Sequence, residues 1–135
     1  MRPFCRFLFP IGLSVLVILN GCGSTPGAVG DAERGSRLFV GEQPFLSPDA
    51  PSCLGCHKVT ATEGAGIGPN LAGLSAVAGS RVAGQSAAEY LRSSLLNTDD
   101  YLVEGYQEGI MYRGYAEILT PQEIEDLVVY MLTLK

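Results

Sequence analysis

The sequence has no tryptophan, a single histidine (His57) and only nine lysine and arginine residues among 135. The basic residues form no cluster, and the formal net charge is −5 at pH 7. A nucleic-acid surface needs lysine and arginine concentrated on one face, so the composition argues against nucleic acid as a partner. A single histidine also excludes any site that takes two imidazole groups from this chain.

The apolar run FLFPIGLSVLVIL, residues 7–19, is shorter than the about 20 residues that a transmembrane helix needs. Arg2 and Arg6 precede the run and form the short basic region of an export signal. A core helix at the edge of a domain would show a polar face toward solvent, and this run has none. The pattern therefore predicts that residues 1–21 are a signal peptide.

The apolar run ends in the tetrapeptide LNGC. It resembles the lipobox of bacterial lipoproteins, in which cleavage leaves the cysteine as a lipidated first residue. Leu19 and Gly21 fit the pattern, whereas Asn20 stands where a small residue is usual. The resemblance implies lipid attachment at Cys22. Ordinary cleavage nearby and an uncleaved anchor are the alternatives.

Cleavage after residue 21 would leave 114 residues, with 7 basic and 14 acidic side chains and a net charge of −7. Residues 22–30 would then form the lipidated N-terminus and a flexible tether, because GSTPGAVG is rich in glycine and small residues. Eight such residues have an end-to-end distance of about 15 Å. The predicted domain, residues 31–135, would stay close to its membrane.

The segment SCLGCHK, residues 52–58, contains two cysteines and the histidine. A structural zinc site needs four ligands, and Cys53, Cys56 and His57 supply only three. A thioredoxin-like dithiol would follow a strand, but no β-rich run precedes this pair. The remaining interpretation is covalent attachment of haem c, whose signature is Cys-x-x-Cys-His. A structural disulfide between the two cysteines is the alternative.

The spacing of the motif matches the geometry of haem attachment. Residues three apart face the same side of a helical turn, so Cys53 and Cys56 can bind the two vinyl groups along one porphyrin edge. His57 then lies beneath the ring, where an imidazole nitrogen can bind iron. Bacterial attachment of this haem takes place outside the cytoplasm, which agrees with an export signal.

A second axial ligand must be a methionine, because the chain has no other histidine. Met131 belongs to a C-terminal stripe of apolar residues at helical spacing, where methionine is usually part of the core. Met111 lies in EGIMYRGYAEIL, a segment without clean periodicity. A loop can present a ligand to a flat cofactor, which makes Met111 the candidate. Iron bound by His57 and Met111 has no open position, which predicts electron transfer and not catalysis.

Helix-start signals predict an all-α domain with long loops. TPQE, residues 120–123, is a capping box with proline at the first helical position. Ser86 and Glu89 form a second box, and Asp31 can cap a first helix that runs to Gly41. The segment EQPFLSPDAPS, between that helix and the cysteines, is predicted to be a surface loop.

The chain from GDAERGSRLFVG to the C-terminus resembles class I monohaem cytochromes c. Gly35 and Phe39 have the spacing of the family's first helix, which crosses the last helix near an aromatic residue, here Tyr130. GIGPNLAGL resembles the segment after the haem motif, which implies that the Pro69 carbonyl orients the histidine. EGIMYRGYAEILTPQEIEDLVVYML resembles the axial-methionine loop and closing helix, which implies Met111 as ligand.

The resemblance implies a small cytochrome c fold with three to five helices packed around one covalently bound haem. AAEYLRSSLLNTDDYLVEGYQEGIM is similar to cytochrome c domains fused to, or associated with, bacterial respiratory membrane complexes. Tyr112 is a departure, because the family usually has proline directly after the ligand methionine. That difference leaves the loop less constrained.

The chemistry of several other side chains makes them candidates for contacts with the haem or with a partner protein. Arg81 is a candidate partner for a haem propionate, since a guanidinium group matches a carboxylate; a solvated arginine is the alternative. Tyr90, Tyr112 and Tyr115 are candidates to line the haem pocket, with simple packing as the alternative. Four acidic residues predict a solvated face, with docking of a basic partner as the alternative. These are Asp99, Asp100, Glu104 and Glu108.

These features together predict a membrane-tethered cytochrome c on the periplasmic or outer face of the bacterial cytoplasmic membrane. It would pass single electrons between membrane redox proteins of a respiratory or photosynthetic chain. A permanent subunit of a quinol-oxidising or oxidase complex is an alternative. An open-site haem sensor or peroxidase is another, and it requires that Met111 does not bind iron.

Overall fold

The computed structural model describes residues 28–135, so the predicted signal peptide and Cys22 lie outside the described residues. This part of the chain forms five α-helices and no strand, which confirms the all-α prediction. Short 3₁₀ turns occur at Cys53–Gly55 and Ala78–Ser80. In residues 28–135, no helix has the length and apolar character needed to cross a membrane. The helices are α1 (Ala32–Val40), α2 (Leu74–Val77), α3 (Ala87–Leu96), α4 (Tyr115–Ile118) and α5 (Pro121–Met131).

The helix-start signals lie where the sequence predicts them. The Asp31 carboxylate accepts hydrogen bonds from the first amides of α1, and Gly41 ends this helix in the left-handed conformation with φ 82°. Ser86 and Thr120 each accept from the backbone amide three residues later, and the glutamates at those later positions bind the cap amides in return. Both capping boxes are therefore complete.

Helices α1 and α5 cross at Gly35. A Cβ atom at this position would overlap the carbonyl oxygen of Asp126 and lie 2.8 Å from the Cβ of Tyr130. Only glycine allows two helix backbones to approach this closely. One turn later, Phe39 packs against Tyr130 with ring centroids 5.3 Å apart. The predicted pairing of Gly35 and Phe39 with Tyr130 is confirmed.

Asp126, a buried carboxylate on α5, holds the start of α1 against α5. Asp126 is fully buried, and its Oδ1 accepts from the Asp31 amide at 2.8 Å and from Gln122 Nε2 at 2.9 Å. Its other oxygen pairs with the Arg34 guanidinium group. A buried charge is costly unless it is paired and hydrogen-bonded, and here both oxygens have partners.

The two residues before the predicted domain boundary at residue 31 contact α5. The carbonyl of Val29 accepts from Gln122 Nε2 at 2.7 Å. Gly30 lies so close to α5 that a Cβ atom would be 2.7 Å from both γ-carbons of Val129. Val29 and Gly30, which the sequence assigns to the tether, therefore contact α5 through their backbone, and the domain boundary at residue 31 stays a prediction.

The connection between α1 and the cysteines is more than the predicted surface loop. Phe45 is buried in the core, although the next residue, Leu46, is exposed. The Leu46 amide donates to Glu123 Oε1 at 2.6 Å, and the Pro51 carbonyl accepts from the Tyr115 hydroxyl at 2.9 Å. These contacts fix the loop to α4 and α5, so the surface-loop prediction was wrong for Phe45.

Helix α3 packs on α5 through apolar and ionic contacts. Leu91 and Leu95 are buried. Arg92 makes a bidentate ion pair with Glu125 in which both N···O distances are 2.7 Å. Bidentate geometry adds orientation as well as energy, so the axis of α3 is fixed relative to α5.

We expect Gly35→Ala to lower the free energy of unfolding by about 1–3 kcal/mol, because the added methyl group would overlap the Asp126 backbone. Helix propensity alone predicts the opposite sign, since alanine is the better helix former by about 1 kcal/mol. Urea denaturation followed by circular dichroism measures the change. Gly79→Ala is the control, because its Cβ atom would be 3.5 Å or more from Ala87. Equal stability of Gly35→Ala and wild type would contradict the close crossing.

Candidate functional site

The two cysteines and the histidine lie on one helical turn. The Cys53 carbonyl accepts from the Cys56 amide at 3.1 Å and from the His57 amide at 2.9 Å. Cys53 is buried and Cys56 is exposed. All three residues line a cavity of about 150 Å³. The single turn predicted from the spacing is therefore present.

The segment after the motif, residues 66–71, folds back and packs against it. The Gly68 amide donates to the Cys56 carbonyl at 3.0 Å, and the Leu71 amide donates to the Lys58 carbonyl at 2.7 Å. Gly66 lies so close that a Cβ atom would be 2.5 Å from the Cys56 carbonyl oxygen. The backbone of this loop therefore packs against the turn that carries the cysteines and His57 and holds it in place.

His57 is held by a hydrogen bond to the Pro69 carbonyl. Its Nδ1 lies 2.9 Å from that oxygen. A carbonyl oxygen can only accept, so Nδ1 carries the proton and Nε2 keeps its lone pair for a metal. Burial lowers the pKa of His57, and the bond to Pro69 opposes this effect only in part. The neutral imidazole, which is the form that binds metal, is therefore favoured.

Gly68 supports the His57 ring, a role that the sequence analysis missed. A Cβ atom at residue 68 would lie 2.5 Å from Cε1 of His57 and 2.8 Å from its Nδ1. The imidazole therefore packs directly on the backbone of residue 68. The glycine before Pro69 in GIGPNLAGL was the available signal, since close approach to a planar ring favours a residue without a side chain.

Met111 lines the same cavity as His57 and is partly buried against the core. Met131, predicted to be a core residue, is buried and also borders the cavity. The walls are mainly aliphatic and aromatic side chains, from α1, α2 and α3 and from the loops before α2 and after α3. They include Phe39, Leu74, Tyr90, Leu91 and Leu95. The cavity therefore combines an apolar lining with two thiols, an imidazole and a thioether.

Arg81 is not among the residues that line this cavity. Its guanidinium carbon lies over the ring of Tyr101, 5.7 Å from the centroid. Tyr101 does line the cavity, and Tyr90 packs edge-on against it with centroids 5.4 Å apart. The pairing of Arg81 with a propionate stays a prediction, and the contact that the structure supplies is with an aromatic ring.

Two of the three candidate tyrosines, Tyr90 and Tyr112, line the cavity. Tyr115 does not, because its hydroxyl donates to the loop before the cysteines, and burial raises its pKa. Tyr101 and Tyr106 also line the cavity, and sequence analysis did not single them out. They lie in a loop without periodicity, so no spacing signal distinguished them.

Burial raises the pKa of the Cys53 thiol to about 12, with a partly opposing hydrogen bond from Tyr115. A redox-active dithiol needs a cysteine whose pKa is lowered. The environment of Cys53 therefore argues against the dithiol interpretation. Within residues 28–135, no three His, Cys, Asp or Glu side chains lie close enough together to hold a metal ion.

Asp99 differs from the other members of the acidic stretch. Asp100, Glu104 and Glu108 are exposed, as predicted. Asp99 is half-buried, and it accepts from the Gly109 amide at 2.8 Å and from Arg113 Nε at 2.6 Å. The amide of Gly109, together with Arg113, holds the pKa of this carboxyl below its ordinary value. The prediction of a solvated side chain was wrong for Asp99.

The family model for cytochrome c matches residues 32–135. The chain therefore belongs to the cytochrome c family, as a class I monohaem cytochrome c, and its cofactor is covalently attached haem c. The chain is also similar to the cytochrome c-type protein SHP of Cereibacter sphaeroides, with 42% identity over 45 residues. That match covers 33% of this chain and 35% of the relative, so it spans about a third of either protein.

The residues around the cavity fit haem c. The thiols lie on the turn that the attachment motif requires. The hydrogen bond of His57 Nδ1 to the Pro69 carbonyl leaves Nε2 free to bind iron. Met111 offers a thioether from another part of the same lining. The apolar walls suit the faces of a porphyrin. The structure thus brings Cys53, Cys56, His57, Pro69 and Met111 together, and it does not bring Arg81 to the cavity.

We expect Gly68→Ala to displace the His57 ring, because the added methyl group would lie about 1 Å inside ordinary van der Waals contact. The hydrogen bond to Pro69 should weaken, so the Nδ1 proton should exchange faster with solvent in NMR spectra of the haem-loaded protein. The free energy of unfolding should fall by about 1–3 kcal/mol. Gly64→Ala is the control, since a Cβ atom there meets nothing within 4 Å. An unchanged exchange rate in Gly68→Ala would show that the ring does not rest on residue 68.

Proposed function

We propose that this protein transfers single electrons through one haem c that Cys53 and Cys56 attach and that His57 and Met111 ligate. Electron transfer by a c-type cytochrome is the function that the family supports. The observation that carries the residue assignment is that His57, with its Nδ1 already bound, lines one apolar cavity together with Met111.

Haem c supplies a metal centre that changes its oxidation state by one electron. The chain determines what else can reach that centre. His57 is fixed by Pro69 and Gly68, so the imidazole does not need to reorient when the charge changes. Met111 would supply its thioether as a second ligand to the iron, which would leave no place for a substrate. A closed site of this kind suits an electron carrier.

The surroundings favour a relatively high reduction potential. A thioether donates less electron density than an anionic or imidazole ligand, and methionine ligation therefore raises the potential. The lining is largely apolar, with buried side chains such as Leu74, Leu91 and Leu95. An apolar shell raises the energy of the more highly charged oxidised state. Both effects stabilise the reduced state.

We infer that lipid on Cys22 tethers the domain to the outer face of the bacterial cytoplasmic membrane, where membrane redox proteins serve as donor and acceptor. The signal-like residues 1–21 and the LNGC tetrapeptide support this inference. Seven peptide units separate Cys22 from Val29, whose carbonyl accepts a hydrogen bond from Gln122 on α5. Even fully extended they span at most about 25 Å. Such a short link raises the local concentration of the domain near partners in the same membrane.

We expect Met111→Ala to open the iron. The purified wild type should show a low-spin visible spectrum that carbon monoxide does not change, whereas Met111→Ala should bind carbon monoxide readily and have a lower reduction potential. Met131→Leu is the control, because it conserves volume at the other methionine of the cavity. Its spectrum should match wild type. Ready binding of carbon monoxide by the wild type would instead favour a sensor or peroxidase.

We expect Cys22→Ala to move the protein from the membrane fraction to the soluble fraction of cells, because the lipid attachment site is lost. Cell fractionation with immunodetection measures the distribution. Cys5→Ala is the control, since Cys5 lies within the predicted signal peptide and should leave the distribution unchanged. Membrane retention of Cys22→Ala after a high-salt wash would point to a permanent complex or an uncleaved signal.

A further inference from the structure

We propose that Asp99 is a positioning residue that holds the Met111 loop against the haem cavity. This inference rests on the proposed ligation by Met111, and it concerns how that ligand stays in place. His57 and Met111 are held by different kinds of contact. The loop that supports His57 is joined to the haem motif by backbone hydrogen bonds, whereas the described chain makes no such bond to residues 107–113, which carry Met111.

Residues 107–113, here called the Met111 loop, lie between a turn at Val103–Tyr106 and helix α4. The loop has no backbone–backbone hydrogen bond to any described residue. Gly109 has φ 77°, a left-handed conformation that glycine adopts without strain. Apart from packing of its side chains, the loop is therefore held by hydrogen bonds that involve side chains and not by backbone pairing.

The carboxylate of Asp99 binds the loop on both sides of Met111. Oδ1 of Asp99 accepts from the amide of Gly109, two residues before Met111. Oδ2 accepts from Nε of Arg113, two residues after Met111. These are the two hydrogen bonds that the loop makes within the described chain. Both involve an ionised acceptor and are therefore stronger than neutral hydrogen bonds.

Asp99 is itself well anchored. It lies three residues after the end of α3, in a turn where the Asp100 amide donates to the Asn97 carbonyl at 3.0 Å. Helix α3 is fixed to α5 by its buried leucines and by the bidentate pair of Arg92 with Glu125. The carboxylate thus links the Met111 loop to the end of a helix that is packed on α5.

The residue directly after Met111 is Tyr112 and not proline, which makes the restraint by Asp99 more important in this chain. A proline after Met111 would restrict the backbone, and tyrosine does not. The Tyr112 ring packs edge-on against Tyr115 with centroids 5.0 Å apart, but it is 40% exposed. Asp99 supplies a restraint on both sides of the methionine, whereas the contacts of the Tyr112 ring with Gly114 and Tyr115 lie only on its C-terminal side.

The test compares Asp99→Ala and Asp99→Asn with wild type in the haem-loaded, full-length protein. The ferric proteins are examined for the long-wavelength absorption band of methionine-ligated haem, and the ferrous proteins for the rate of carbon monoxide binding. We expect Asp99→Ala to weaken the band and to bind carbon monoxide about tenfold faster, as for the loss of a charged hydrogen-bond acceptor. Asp99→Asn keeps one acceptor oxygen and should give an intermediate rate.

Asp100→Asn is the matched control, because this neighbouring side chain is exposed and makes no side-chain hydrogen bond to another described residue. It should behave as wild type. If Asp99→Ala does not fold, Asp99→Asn decides the matter, and faster amide exchange at Gly109 in that variant is a second reading of the lost bond.

The outcomes separate this proposal from the one on which it rests. If Met111→Ala opens the iron while both Asp99 variants keep the wild-type band and rate, Asp99 does not position the loop, although Met111 remains the ligand. If the wild type itself binds carbon monoxide readily, the ligation by Met111 is wrong. A stronger effect in Asp100→Asn than in Asp99→Asn would also overturn the proposal.

Discussion

The position of the haem cavity depends on how closely α1 and α5 approach each other at Gly35. Because no side chain separates the two backbones there, Phe39 on α1 reaches the cavity, and Met131 on α5 borders it from the other helix. Helix α3 completes the arrangement, since Arg92 is tied to α5 through Glu125. A wider crossing would move both walls apart. The glycine is thus distant from the chemistry but sets the dimensions of the space in which it takes place.

Carboxylates hold several of the long loops of this domain. Backbone amides outside helices and strands need acceptors, and in the described chain three acidic side chains provide them at critical points. Asp126 accepts from the amide at the start of α1, Glu123 accepts from Leu46, and Asp99 accepts from Gly109. The acidic composition therefore has a structural use, because part of the negative charge is buried or half-buried and paired. It should not all be counted as surface charge available to a partner.

Local signals in the sequence were sufficient to predict the starts of α1, α3 and α5, the haem-binding turn and the all-α class, because each is encoded within a few neighbouring residues. The short helices α2 and α4 have no side-chain cap and were not predicted. Family resemblance added two contacts between separated residues: the crossing of Gly35 and Phe39 with Tyr130, and the bond between His57 and the Pro69 carbonyl. The carboxylate contacts were not predictable in this way: Asp126 meets a residue 95 positions earlier, and Glu123 meets one 77 positions earlier. Nothing in the local pattern of a glutamate indicates which distant amide it will bind.

The two proposed axial ligands are held with unequal strength, and this inequality has a physical origin. His57 follows the covalent attachment points directly and rests on Gly68 and Pro69 in a loop that is hydrogen-bonded to the motif. Met111 lies 54 positions further on, in a loop whose described hydrogen bonds both end at Asp99. The methionine side is therefore the one that can open, because opening it breaks only these two hydrogen bonds, both of them at exposed positions. An electron carrier and an open-site haem protein built on this fold thus differ by the stability of one loop.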